Sequence, residues 1–335
     1  MCPTDSDSRS STSADSAHWT STTINGGSIR HIDLNSGTNG WASPPGDVFH
    51  LRSRTYFTER VKSPAGDYLL SPVGMDWLKS TAKLENVLGR PDNRVAQALR
   101  QAQAQGKSKK SLIFAVNLQI PGKEYHSAVF YFAAEDPVPS GSLLGRFIEG
   151  DDGFRNQRFK LVNRIVKGPW IVKKTVGNYS ACLLGRALTC NYHRGPNYFE
   201  IDVDIGSSAI ANAILRLALG YVTCVTIDMG FVVEAQTQEE LPERLIGAVR
   251  VCQMEMSSAT VVDVPNATRG GNKHFFLWDE GRTGWVSESF GWWAACGTGE
   301  EECEVNGTAH AAEKCHKTTL LFEQQAMLDI AAAIQ

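Results

Sequence analysis

The chain has 335 residues, a formal net charge of -3 at pH 7, 42% hydrophobic residues and 21% charged residues. That length holds one large domain or two modest ones, and the composition is that of a soluble globular protein. The charge balance leaves no nucleic-acid footprint and no bulk attraction to anionic membranes, so nucleic acid is excluded as a partner and any membrane contact has to use a local patch.

Residues 1–38 are rich in Ser, Thr, Asp, Asn and Gly. Such a segment buries too little apolar surface to offset chain entropy, and disorder is expected there. It has no apolar stretch of the kind that marks a secretory signal. Cys2 in place of a glycine after Met1 rules out N-myristoylation. The eight cysteines, at 2, 182, 190, 224, 252, 296, 303 and 315, follow no regular framework. They read as reduced thiols of a cytoplasmic protein. The N-x-S/T triplets at Asn178, Asn266 and Asn306 are then chance matches.

From Gly40 the texture changes. FHLRSRTY, DYLLSPVGMDWL, SLIFAVNLQI, SAVFYFAA, FKLVNRIV, WIVKKTV, ACLLGRALTCNY, NYFEIDVDI and GAVRVCQMEM read as short strands between Gly- and Pro-rich turns. A polar surface helix is expected from about Pro91, and one or two helical turns in VPSGSLLGRFIEGDDGF. Many strands, few helices and no βαβ rhythm predict an α+β fold. The expected architecture is a mainly antiparallel curved sheet or partial barrel packed on one long apolar helix.

That helix is expected over SSAIANAILRLALGYVTCVTIDMGFVVE, from Ser207 to about Glu234, roughly 40 Å long. Arg216 and Asp228 argue against a membrane span, each costing roughly 2.5–3.5 kcal/mol near a bilayer centre. Ser208, Asn212, Arg216, Thr223, Thr226, Gly230 and Glu234 form a polar seam on a mostly apolar cylinder. Ser207 or Ser208 can cap its start, and Thr237 with Glu240 has capping-box spacing for a short helix after it. Asp228 falls off the seam. Either the helix ends before it and a strand begins, or a buried carboxylate needs a partner, such as a ligand in a cavity. After about Asp263 a divergent, poorly ordered tail is expected, with a terminal helix over Lys317 to Ile334.

Glu200, Asp202 and Asp204 alternate along NYFEIDVDI and share one face of a strand. The preferred reading is a solvated strand face; a divalent cation held by a D-x-D pair is the lesser alternative. Cys190 and His193 have C-x-x-H spacing but no second pair nearby, and the set Cys296, Cys303, His310, Cys315 and His316 is irregularly spaced, so zinc is not the preferred reading of either. No nucleotide, hydrolase or metalloprotease motif occurs, so no cofactor is called for and the chain reads as a non-enzyme. The stretch FRNQRFKLVNRIVKGPWIVKK carries Arg155, Arg158, Lys160, Arg164, Lys167, Lys173 and Lys174 with Trp170. Clustered cations beside an interfacial Trp suit a lipid headgroup surface; a solvated sheet edge is the rival.

Five blocks resemble the C-terminal domain of the plant Enhanced Disease Resistance 2 family, a domain of unknown function. They are GWASPPGDVFHLRSRTY, VNLQIPG, GSLLGRFIEGDDGFRNQRFKLVNRIVKGPWIVKKTVG, NYFEIDVDIGSS and ELPERLIGAVRV. The resemblance covers about Asn39 to Val262 and divides the chain into a 1–38 segment, a 39–263 domain and a 264–335 tail that departs from the family pattern. Longer members carry a pleckstrin-homology and a START lipid-binding domain upstream. The resemblance implies a regulatory role near lipids and plant defence, and it transfers no catalytic or lipid-contacting residue.

The sequence thus points to a non-enzymatic lipid-binding or membrane-associated module, cytoplasmic or peripheral on membranes. Its partner is a lipid or an anionic membrane surface. Candidate contacts are Arg216, Asp228, Asn212, Trp170, Arg155, Arg158, Lys160, Lys173 and Lys174. The alternatives are a protein-interaction domain with a solid core and a protein partner, or an enzyme using Glu200, Asp202 and Asp204 with a divalent cation.

Overall fold

A computed structural model of the chain describes residues 19–177 and 179–263. Residues 1–18, Asn178 and the 264–335 tail lie outside the described residues, and so do the expected helix over Lys317 to Ile334 and the Cys–His set. Spatial clustering separates a unit Met1–Val264 from a second, Pro265–Gln335. All that follows concerns the first.

The strands are β1 (Arg30–His31), β2 (Gly40–Ala42), β3 (His50–Arg52), β4 (Lys62–Pro64), β5 (Ser71–Ser80), β6 (Leu112–Ile120) and β7 (Tyr125–Ala134), followed by β8 (Phe159–Lys167), β9 (Tyr179–Leu183), β10 (Thr189–Arg194), β11 (Tyr198–Asp204), β12 (Thr226–Val233), β13 (Leu245–Cys252) and β14 (Thr260–Val261). The helices are α1 (19–25), α2 (Tyr56–Glu59), α3 (Arg94–Ala104), α4 (Leu143–Glu149), α5 (Asp152–Asn156), α6 (Trp170–Val176), α7 (Leu184–Ala187) and α8 (Ala209–Gly220).

The fold is α+β and rich in antiparallel pairing, as the strand pattern implied, but no sheet closes. One six-stranded sheet has the order β1-β2-β13-β12-β8-β9 and the other β10-β11-β6-β7-β5-β14, while β3 and β4 form a separate hairpin. Three pairs are parallel: β1 with β2, β11 with β6 and β14 with β5. The expected partial barrel is thus two open sheets.

Aromatic side chains join the two sheets. Phe130 of β7 lies 5.8 Å from Phe231 of β12, ring centre to ring centre, and Phe231 stacks on Phe159 of β8 at 6.1 Å. Phe114 and Phe199 extend the layer at 5.5 Å. The far face of the second sheet is covered too. Asn93 caps α3 by accepting from the Ala96 N–H at 2.8 Å, and the helix packs Val95, Ala96, Leu99 and Ala102 against Val73, Ile113, Ala115, Val129 and Tyr131. The expected surface helix is thus found, with one face in solvent and its apolar stripe in the core.

Three further expectations are corrected. The long apolar helix does not form: α8 has 12 residues, a 3-10 turn covers Val222–Cys224, and β12 follows. The β-branched run Val222, Thr223, Val225, Thr226 and Ile227 favours extended backbone once the helix stops. WIVKKTV is the helix α6, not a strand, with Pro169 before it and Val172 buried against Ile165 and Val225. Order also begins earlier than Gly40. Trp19 and Ile29 are buried and Arg30–His31 pairs with Gly40–Trp41, because a few apolar residues in a polar segment find slots in a core built by the rest of the chain.

Candidate functional site

Glu200, Asp202 and Asp204 do share a face of β11, but that face is not wet. Glu200 and Asp202 have no solvent exposure. The Val87 and Leu88 N–H groups each donate to Glu200 at 2.7 Å. Asp202 accepts from the Asn86 N–H at 2.9 Å and from Asn117 Nδ2 at 2.9 Å, with His193 Nε2 at 2.8 Å. Lys83 Nζ lies 2.6 Å from Asp204. The three carboxylates fasten the 83–88 segment onto the sheet. Burial and the adjacent Asp202 push Glu200 well above the usual carboxylate range. The hydrogen bond to Asp202 raises His193. The carboxylates are thus engaged by protein donors, and among the described residues no group of three or more His, Cys, Asp or Glu side chains is arranged to hold a metal.

Asp228 is also fully buried. It sits in mid-strand on β12, flanked by Arg250 on β13 and Arg164 on β8, which are its register partners. Arg250 Nε and Nη2 donate to it at 2.5 and 2.9 Å, and Arg164 Nη2 at 2.7 Å. Both sequence alternatives hold at once: the helix ends before Asp228 and a strand begins, and the buried carboxylate has its partners. Those partners are two arginines of the protein.

The basic stretch divides in two. Its first half is used internally. Arg155 donates to the Phe147 and Ile148 carbonyls at 3.0 and 2.8 Å and bridges Asp152. Arg158 lies over the Phe154 ring at 4.3 Å and pairs with Glu240 at 3.4 Å. Lys160 is buried between Glu243, at 2.5 Å, and Glu234, at 3.3 Å. These three, expected from sequence as lipid contacts, are engaged inside the protein: Arg155 by Asp152 and two backbone carbonyls, Arg158 and Lys160 by acids dozens of residues away.

The second half faces solvent. Trp170 opens α6 with 66% of its surface exposed. Lys174 is exposed and Lys173 half-buried. Helix α6 lies beside α8, whose sequence AIANAILRLALG buries none of its residues. Only Leu215 and Leu219 touch the core margin. Arg216 is exposed and Asn212 half-buried, with an unpartnered Oδ1. Neither helix contains a carboxylate. Of the nine candidates, the structure gathers Trp170, Lys173, Lys174, Asn212 and Arg216 on this pair of helices.

A family model described as "Protein ENHANCED DISEASE RESISTANCE 2, C-terminal" matches residues 41–255. The chain belongs to this family. It is 46% identical over 236 residues to an Arabidopsis thaliana protein named "Protein ENHANCED DISEASE RESISTANCE 2-like". The match takes in 70% of this chain and 31% of that protein, so the chain spans about a third of its relative's length.

In this Enhanced Disease Resistance 2 C-terminal domain, sequence reasoning missed three members of the exposed surface, Val166, Ile210 and Tyr221, and named Lys167 only as part of the basic stretch. Val166 and Lys167 close β8, and Ile210 and Tyr221 sit at the two ends of α8; all four are exposed. A helix as apolar as α8 signalled a buried element. Only its observed placement at the surface turns the same residues into a candidate contact face.

Proposed function

We propose that this domain is a peripheral membrane-binding module, and that the α6–α8 face rests on an anionic lipid surface. The observation that carries this reading is an apolar helix with no buried residue, set beside exposed Trp170 and the cations Lys167, Lys173, Lys174 and Arg216. Trp places its ring at the headgroup level, and lysines and arginines beside it draw the face to negative lipids. Phe130, Phe159 and Phe231 fill the space between the sheets, which favours a surface contact over an internal lipid chamber. No helix among the described residues is long and apolar enough to cross a membrane. The similarity to a protein named for disease resistance supports a regulatory role in plant defence.

Vesicle co-sedimentation tests it. The full chain binds phosphatidylcholine vesicles containing phosphatidylserine and leaves pure phosphatidylcholine in solution. Lys173→Glu and Lys174→Glu each weaken binding by about fivefold or more, and Trp170→Ala weakens it further. Wild-type protein that stays in the supernatant with both vesicles removes the reading.

A further inference from the structure

At the other end of β11 the chain builds a second feature, one the membrane reading leaves unused. An open cleft of about 470 Å³ lies where the start of β6, the end of β10 and α4 meet. Its lining carries Lys109, Lys110 and Arg194, all exposed, against a single carboxylate, Glu149. Among the described residues none of the three cations has a carboxylate partner. Elsewhere in the domain Arg52, Lys83, Arg94, Arg146, Arg158, Lys160, Arg164 and Arg250 are each paired with an acid, whereas among the described residues the cleft cations, like those of the α6–α8 face, are not. Leu112, Val138 and Ile148 supply apolar wall.

From this lining we infer that the cleft binds a small organic phosphate. An arginine fork beside two lysines matches phosphoryl oxygens. The apolar wall suits a ring or short carbon body, and Glu149 offers an acceptor for a hydroxyl on it. The volume lies within the range of small-molecule sites, roughly 300–1,000 Å³.

The topology separates this cleft from the membrane face. Strand β11 runs from Tyr198, in the cleft lining, to Asp204, just before α8, and seven strand residues span about 20 Å. Strand β8 likewise starts at Phe159, packed with Phe147 of α4, and ends at Lys167, just before α6. A ligand in the cleft and a bilayer on α6–α8 therefore occupy opposite ends of the same strands, which favours a free phosphate over a lipid headgroup.

Isothermal titration of the full chain with phenyl phosphate, and phenol as the uncharged control, tests the assignment. Saturable binding of phenyl phosphate alone is expected. Lys110→Glu and Arg194→Glu each weaken it at least about tenfold, while Lys173→Glu, at the far end, leaves it unchanged. No binding up to about 10 mM, or equal binding by the cleft variants, overturns the proposal. Displacement of phenyl phosphate by phosphatidylserine vesicles overturns the choice of a free ligand. Failure of vesicle binding in the previous experiment leaves this one intact, because the two use different residues.

Discussion

Asp228 and Arg250 face each other across neighbouring strands and are joined by two hydrogen bonds, at 2.5 and 2.9 Å, with the carboxylate fully buried. Arg164, the register partner on the other side, closes a three-residue ladder across β8, β12 and β13. Removing the acid strands a buried cation, which costs far more than the net worth of the pair. Asp228→Asn is expected to lower unfolding free energy by about 3–5 kcal/mol, read as a lower urea midpoint at unchanged slope. A midpoint within error of wild type would mean that the ladder is dispensable.

Glu200 and His193 make stability depend on pH in one direction. Glu200 keeps its proton more tightly in the folded chain than in the unfolded one, since burial and Asp202 raise it above the ordinary value of 4.5. In the window above 4.5 the native state binds more protons, so stability falls as pH rises until the folded group ionises. His193, raised above 6.5 by its hydrogen bond to Asp202, adds a loss that begins above 6.5 and is complete once pH passes its folded value. Glu200→Gln keeps the shape without the titration. It is expected to flatten the fall that starts near pH 4.5 and to leave the His193 step; His193→Gln does the converse. Urea unfolding from pH 4.5 to 8 separates them. Parallel curves for wild type and both variants would refute this assignment of the charges.

Gly247 lies where β13 crosses the inter-sheet layer. A Cβ there would meet Phe132 ring carbons at 2.3 and 2.5 Å, too close for any side chain in a packed core. Gly247→Ala is expected to destabilise by about 1–3 kcal/mol through overpacking, with a lower melting temperature. The double variant Gly247→Ala/Phe132→Leu should recover part of the loss, because the smaller side chain frees the space. A melting temperature equal to wild type in the single variant would show that Phe132 simply moves aside.

Much of the strand content was legible, and for a reason. β6, β7, β8, β11 and β13 are rich in β-branched and aromatic residues, which favour extended backbone. Short-range chemistry was legible too: the Ser208 hydroxyl accepts from the Ala211 N–H at 3.3 Å, and Thr237 with Glu240 forms the capping box its spacing implied. What failed was everything set by long-range packing. Alternation placed Glu200 and Asp202 on one face correctly, but it could not say that residues 86–88 cover that face. The same blindness made Arg155, Arg158 and Lys160 look free. A run of cations has one appearance in sequence whether it meets solvent or Glu234, Glu240 and Glu243. For α6, the β-branched content of WIVKKTV misled because burial of Val172 outweighs a weak local preference.

The order of strands also bears on how the chain finds its fold. β8 and β9 belong to one sheet, β10 and β11 to the other, and only the four residues of α7 and their immediate flanks separate β9 from β10. A single contiguous run, residues 159–204, therefore holds an antiparallel pair from each sheet. Closing a link this short costs little chain entropy compared with bringing β2 to β13, some two hundred residues apart. The two halves of the sandwich can meet first where the chain turns the corner, and the distant strands then add to a layer that already exists.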